Sequence, residues 1–217
     1  MAKKYTVSKS HTKKDTKEIL KLGLILVCYS VVLCTVLAVV NYFTAPKIAS
    51  NQNEKAKAAM QEVFAVADNF ELDDDSDFYE QNSTSSIKVK DFYFAKKDGN
   101  VIGGVIQVTG PTYDKGKIIV AMDLDSVVTG VRILELSDSP GFGLKANSPS
   151  FTLPSGKTFY GQFEGKSATS GFKDGQNFDA ISGATITSKG LGDMIDTGVK
   201  AISFKLSKAG VLKEEGK

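Results

Sequence analysis

Residues 87–136, IKVKDFYFAKKDGNVIGGVIQVTGPTYDKGKIIVAMDLDSVVTGVRILEL, decide the fold. From Ile87 to Ala95 apolar and polar side chains alternate before the run turns more apolar, the period of a strand with one face against a core. Lys97-Asp98-Gly99-Asn100 is a turn signal. Val101 to Thr109 and Lys117 to Asp125 are two more β-like runs, and Thr129-Gly130 leads into a fourth, Val131 to Leu136. Such a succession predicts an antiparallel meander with helices at its edges, an α+β domain.

Upstream, Glu71 to Ser86 is acidic and polar and reads as a surface loop. Asp73, Asp75 and Asp77 alternate like the ligands of a calcium loop, but no Gly follows at the required turn and position 12 is Thr84, so a solvated loop is expected instead. Before it, Ala56, Ala59, Met60, Val63 and Phe64 fall at helical spacing and predict an amphipathic helix over Lys47 to Asn69. Leu22 to Phe43 is free of charge for 22 residues. At about 1.5 Å rise per residue that gives roughly 33 Å of helix, enough to cross a bilayer core. The run exceeds the h-region of a cleaved signal peptide and no small-residue cleavage site follows it. Leu33 before Cys34 argues against a lipoprotein, and Pro46 is a natural place for the helix to stop. The 217 residues carry a formal net charge of +2, which hides an asymmetry. Residues 1–21 hold seven Lys against Asp15 and Glu18, and the remainder is net acidic, so the body has no nucleic-acid-binding stripe. The basic flank places the N-terminus in the cytoplasm and residues after Thr44 outside. The expected organisation is a basic tail (1–21), an anchor (22–43), a membrane-proximal helix and linker (44–70) and a folded domain (71–217).

Downstream, Ser137-Asp138-Ser139-Pro140-Gly141-Phe142-Gly143-Leu144-Lys145 is a loop whose glycines permit tight turns and close approach of a ligand. Leu191, Met194, Ile195, Val199 and Ile202 predict a C-terminal helix from about Thr187 to Leu206, weakened by Gly190, Gly192 and Gly198. Between loop and helix lies Asp179-Ala180-Ile181-Ser182-Gly183-Ala184-Thr185-Ile186-Thr187-Ser188, which contains D-x-x-[S/T]-G-A-T. Small hydroxylated residues before an amphipathic helix make a good N-cap. The same geometry suits a phosphate: a helix start carries unpaired N–H groups and positive partial charge. Gly183 and Ala184 leave room beside Thr185, whose hydroxyl could carry a phosphoester, while Asp179 could hold the loop or a metal ion during attachment.

The side-chain inventory narrows the chemistry further. The only His is His11, and the only cysteines are Cys28 and Cys34, inside the apolar run. No Ser-His or Cys-His nucleophile, Cys/His zinc site, disulfide framework or iron–sulfur motif can be built in the body. No catalytic side chain and no metal ligand set is therefore expected, and reactive chemistry would come from a prosthetic group.

With the basic tail, one anchor, a membrane-proximal helix, a β-rich body, the Pro-Gly loop and the D-x-x-S-G-A-T run, the chain resembles the FMN-binding subunits of two related respiratory complexes. These are the G subunit of the Rnf-type ion-translocating ferredoxin:NAD oxidoreductase and the C subunit of the sodium-pumping NADH:quinone reductase. The resemblance implies FMN esterified through its phosphate to Thr185, installed by a flavin transferase from FAD, with Ser182, Gly183 and Ala184 beside it. It implies an electron-relay role among other subunits of a membrane complex, with no catalytic activity of the subunit alone. The family loop H-x-E-T-P-G-L-G aligns with Asp138, Ser139, Pro140, Gly141, Phe142 and Gly143, near the flavin. Asp and Ser replace Glu and Thr, and Leu136 or a neighbour fills the His slot. The compact length favours the Rnf-type protein. A free-standing anchored flavoprotein and a non-redox anchored binding module are the alternatives.

Overall fold

A computed structural model describes residues 9–212, with side chains from Thr16 onward. The first eight residues of the expected basic tail, the side chains of residues 9–15 (His11 among them) and residues 213–217 lie outside the described residues. The chain divides into two compact units after Asn53.

Helix α1 spans Lys9–Val63 and contributes to both units. Its apolar stretch has a mean hydropathy of 2.7 with none of it buried. A core helix of a soluble protein would bury that surface, so the chain is a membrane-anchored protein. Two hydroxyls within this stretch are satisfied locally: Ser30 donates to the Leu26 carbonyl (2.9 Å) and Thr35 to the Val31 carbonyl (2.8 Å), so neither needs water. Pro46 does not end the helix as expected, but lies inside it. The missing N–H costs one backbone bond, and the helix-forming residues that follow, rich in Ala, Lys, Glu and Gln, carry the helix on.

In the second unit, residues 54–217, five strands form one antiparallel sheet in the order β1-β2-β3-β4-β5: Asn69–Asp73, Lys88–Lys97, Asn100–Pro111, Lys115–Asp123 and Val128–Leu136. The β2–β3 turn is tight because Asp98 and Gly99 both adopt positive φ (48° and 80°), as a two-residue hairpin demands. The two middle strands bury both faces. Ile106, Val108, Ile118, Val120 and Met122 point into one apolar cluster, and Val105, Ile119 and Ala121 into the other. That explains why IIVAM reads as an unbroken apolar run instead of alternating.

The last turns of α1 cover one face through Ala56, Ala59, Met60 and Val63. The approach is close: a Cβ on Gly130 would lie 2.9 Å from the Val63 Cα. Residues 54–63 thus belong to the folded body that the sequence reading began at 71, and the helix ends at Val63 instead of Asn69. The other face is covered by α3 (Thr185–Lys208). The glycines that weaken α3 intrinsically let it pack: a Cβ on Gly190 would meet the Pro111 carbonyl oxygen at 2.3 Å, and one on Gly192 the Phe178 ring at 2.6 Å.

The segment 71–86 is not a surface loop. It supplies the end of β1 and helix α2 (Ser76–Asn82), capped by Asp75, which accepts from the Phe78 N–H (3.1 Å). The cation facing the alternating acids is Lys205 of α3, whose Nζ lies 2.6 Å from Asp73 and 2.9 Å from Asp75. Burial pushes the Lys205 ammonium down, but the two carboxylates outweigh it and raise its pKa. Residues 137–184 join β5 to α3 with two short 3-10 helices (Gly143–Asn147 and Tyr160–Gln162) as their helical structure. Phe159, Phe163, Phe172 and Phe178 pack on one another through ring contacts at 5.3–6.3 Å and, as part of the buried cluster under α3, hold this segment to the core.

Candidate functional site

Helix α3 begins at Thr185, with Ala184 at the N-cap and no side-chain capping bond. The hydroxyl-rich run therefore does not act as the cap its composition suggests. No acidic residue stands in the first turn, so the positive end of the helix is left to another anion. Gly183 makes the turn into the helix at φ +79°, a conformation costly for any residue with a Cβ.

The four hydroxyls of the run differ in their freedom. Thr187 is buried and donates to Asp138 Oδ2 at 2.5 Å. Ser188 is fully buried, donates to the Ala184 carbonyl (3.0 Å) and accepts from the Ile181 N–H (2.9 Å). Thr185 and Ser182 are exposed. Of the two, Thr185 lies on the wall of a cleft of about 450 Å³, in the size range of small-molecule sites. Gly183, Ala184, Ile186 and Thr187 line it from one side, Ser139, Phe142 and Gly143 from another, and Tyr113 from the β3–β4 connection. Tyr113, Phe142 and Ile186 are 69%, 58% and 62% exposed, so an apolar ligand would find three uncovered apolar side chains there. A phosphate beside an uncapped helix end and a planar apolar ring between those side chains both fit this arrangement.

Other expected site residues stand elsewhere. Asp179, Ser182, Pro140 and Gly141 are exposed and outside the cleft lining. Asp179 is held through its backbone: its N–H donates to Gln162 Oε1 (2.8 Å) and its carbonyl accepts from Gln162 Nε2 (3.2 Å). Asp138 is behind the wall, 7% exposed. Its Oδ1 accepts from the Thr112 hydroxyl (2.7 Å) and the Asp114 N–H (3.1 Å). Burial pushes its carboxyl up, yet the bonds from Thr187, Thr112 and the Asp114 and Tyr113 amides outweigh it and hold the pKa below the usual carboxylate value. Gly143 is small for a reason: a Cβ there would sit 2.5 Å from Asp138 Oδ2 and 2.6 Å from Thr187 Oγ1. Sequence reasoning missed Tyr113 and Ile186. An aromatic in a Pro-Thr-Tyr-Asp turn and an apolar residue in the first turn of α3, off its buried stripe, were the available signals.

Residues 113–200 match the FMN-binding domain family, and residues 11–63 match the RnfG N-terminal region. The chain is 32% identical over 197 residues to the G subunit of the Na(+)-translocating ferredoxin:NAD(+) oxidoreductase complex of Acetobacterium woodii, covering 84% of this chain and 90% of that protein. The chain belongs to this G-subunit family. The G subunit of the ion-translocating oxidoreductase complex of Methanosarcina acetivorans is 29% identical over 87% of this chain and 97% of its own length. The same-named protein of Photorhabdus laumondii is 29% identical over 76% and 81%. In this member of the G-subunit family the FMN-binding region spans Tyr113, the 138–143 loop and the first turn of α3, so every segment lining the cleft falls within it.

Proposed function

We propose that this protein is the anchored flavoprotein of an Rnf-type ion-translocating electron-transport complex and relays electrons among the other subunits. FMN is joined covalently to Thr185. The single observation that carries the attachment is an exposed Thr185 hydroxyl, with no hydrogen bond to another described residue, at an uncapped helix start on the wall of an apolar cleft. In the attachment step a flavin transferase moves the FMN phosphoryl group of FAD onto Thr185 Oγ1. The Oγ1–P bond forms, the pyrophosphate P–O bond breaks, AMP departs and the hydroxyl proton is released.

The residues present bind and orient. The first turn of α3 would hold the phosphate, and Tyr113, Phe142 and Ile186 would offer apolar surface to the ring. Flavin, once bound, supplies the redox chemistry that the side chains lack. The positive flank of α1 keeps the N-terminus cytoplasmic, so the domain works on the outer side of the cytoplasmic membrane. There a covalent bond prevents cofactor loss and the anchor raises the effective concentration of partners.

The test is full-length chain produced in cells that possess the transferase. Fluorescence in a denaturing gel and intact mass are expected to show one FMN per chain less water, absent from Thr185→Ala. An unmodified wild-type chain from such cells would refute the attachment.

A further inference from the structure

One carboxylate reaches all three walls of the cleft. Asp138 accepts from Thr112 and Asp114 on either side of Tyr113, and from Thr187 next to Ile186, and it belongs to the same loop as Phe142. The three exposed apolar side chains of the cleft therefore sit on three separate chain segments that meet at this buried group. Asp138 itself is outside the cleft lining and makes no contact with what the cleft would hold.

We infer that Asp138 is a positioning residue that fixes the spacing of the flavin-flanking walls, acting through Thr187 on α3 and through Thr112 and Asp114 on the β3–β4 connection. The inference rests on the Thr185 reading above. A planar ring is shielded on two sides only if the walls stay at a set separation, and each wall is a loop or a helix end, elements that move readily unless tied. Thr187 is two residues from the attachment hydroxyl, so its bond to Asp138 also fixes the rotation of the first turn about the helix axis, and with it the direction in which Thr185 points.

The experiment uses full-length flavinylated chain in detergent and compares wild type, Thr187→Val, Asp138→Ala and Lys205→Met. Thr187→Val is near-isosteric and removes the α3 arm. Lys205→Met loosens the far end of the same helix and controls for stability alone. Iodide quenching of flavin fluorescence, at fixed ionic strength and well below the unfolding transition, reads how often the cleft opens. Losing one hydrogen bond to a charged acceptor raises the open fraction roughly tenfold. We expect stronger quenching and lower flavin anisotropy in Thr187→Val, a larger change in Asp138→Ala, and wild-type signals in Lys205→Met. Wild-type quenching in folded Thr187→Val overturns the inference, whether or not Asp138→Ala folds. So does an equal change in Lys205→Met. Covalent flavin missing from the wild-type chain overturns the Thr185 reading and this one together, whereas flavin present but insensitive to both substitutions overturns this one alone.

Discussion

The two ends of α3 are both tied to carboxylates from distant parts of the chain, yet they are built to opposite purposes. At the C-terminal end Lys205 is buried between Asp73 and Asp75, and Lys208 lies 3.8 Å from Asp75. Positive charge there offsets the negative end of the helix and is answered within the protein. At the N-terminal end the tie is a neutral hydroxyl, Thr187, on the Asp138 carboxylate, and neither an acidic residue of the first turn nor a side-chain cap answers the helix's own amides. A helix tied at both ends, with its first-turn amides left uncapped, is suited to hold an anionic group at the open, uncapped end without losing its anchorage. The contrast separates residues that hold the helix from residues that serve the ligand.

The largest effect that breaks this contrast falls on a residue that contributes almost nothing to folding. The Thr185 side chain is exposed and its hydroxyl bonds to no other described residue, so Thr185→Ala is expected to leave the thermal unfolding midpoint unchanged while abolishing covalent flavin. A midpoint displaced by several degrees together with partial flavin retention would place the N-terminal turn among the structural elements instead.

The C-terminal tie is the complementary case. Lys205→Met leaves Asp73 without its cation and Asp75 with Lys208 at 3.8 Å. Breaking a fully buried pair costs about 3–5 kcal/mol, but both carboxylates are a quarter or more exposed, and water reduces the loss to roughly 2 kcal/mol. Urea unfolding of the full chain in detergent measures it, and the flavin content should equal that of wild type. Loss of flavin without loss of stability would mean that the two ends are not separable.

What could be read from the sequence follows the range of the interaction. The meander is legible because strand alternation and the Asp98-Gly99 turn are local. The apolar stretch of α1 is legible because length alone decides it, and α3 because Leu191, Met194, Ile195, Val199 and Ile202 keep a helical period. β1 and α2 are not, because Asp73 and Asp75 look solvated until Lys205, 130 residues away from Asp75, is brought beside them. The run through Pro46 is hidden because propensity marks a stop while the residues on either side favour helix. At the site, the D-x-x-S-G-A-T run proposed for attachment is local and visible. The tie from Asp138 spans 26 residues to Thr112 and 49 to Thr187, and no periodicity announces it.

Gly143→Ala sharpens the comparison at the open end. A methyl group would press on both partners of the Asp138–Thr187 bond. Overpacking of this kind costs about 1–2 kcal/mol, and the displaced bond should make the flavin more accessible to iodide, as in Thr187→Val. Stability lost with no change in quenching would assign Gly143 to packing alone.

The smallest effect is the pH response, and it distinguishes the ends by sign. Asp138 has a lowered pKa, so its contribution is fully present above the unfolded value of about 3.9 and is lost as pH falls through the lower folded value. Asp75, lowered by Lys205 and the Phe78 amide, behaves likewise, so acid loosens both ends. Lys205 is raised, so its contribution is fully present below about 10.4 and is lost only as pH rises through the higher folded value. Alkali should therefore loosen the C-terminal end alone. The amides of Asp114 and Phe78, which donate to Asp138 and Asp75 respectively, report the two sites by NMR. Both should shift with inflections below about 3.9 in acid. Above about pH 10 Phe78 should move, and in a Tyr113→Phe background, which removes the phenol next to Asp114, it alone should move, because no cation is among the groups that shift Asp138. A matching alkaline shift at Asp114 would show that the helix transmits the loss of one tie to the other, and the open end would then depend on the closed one.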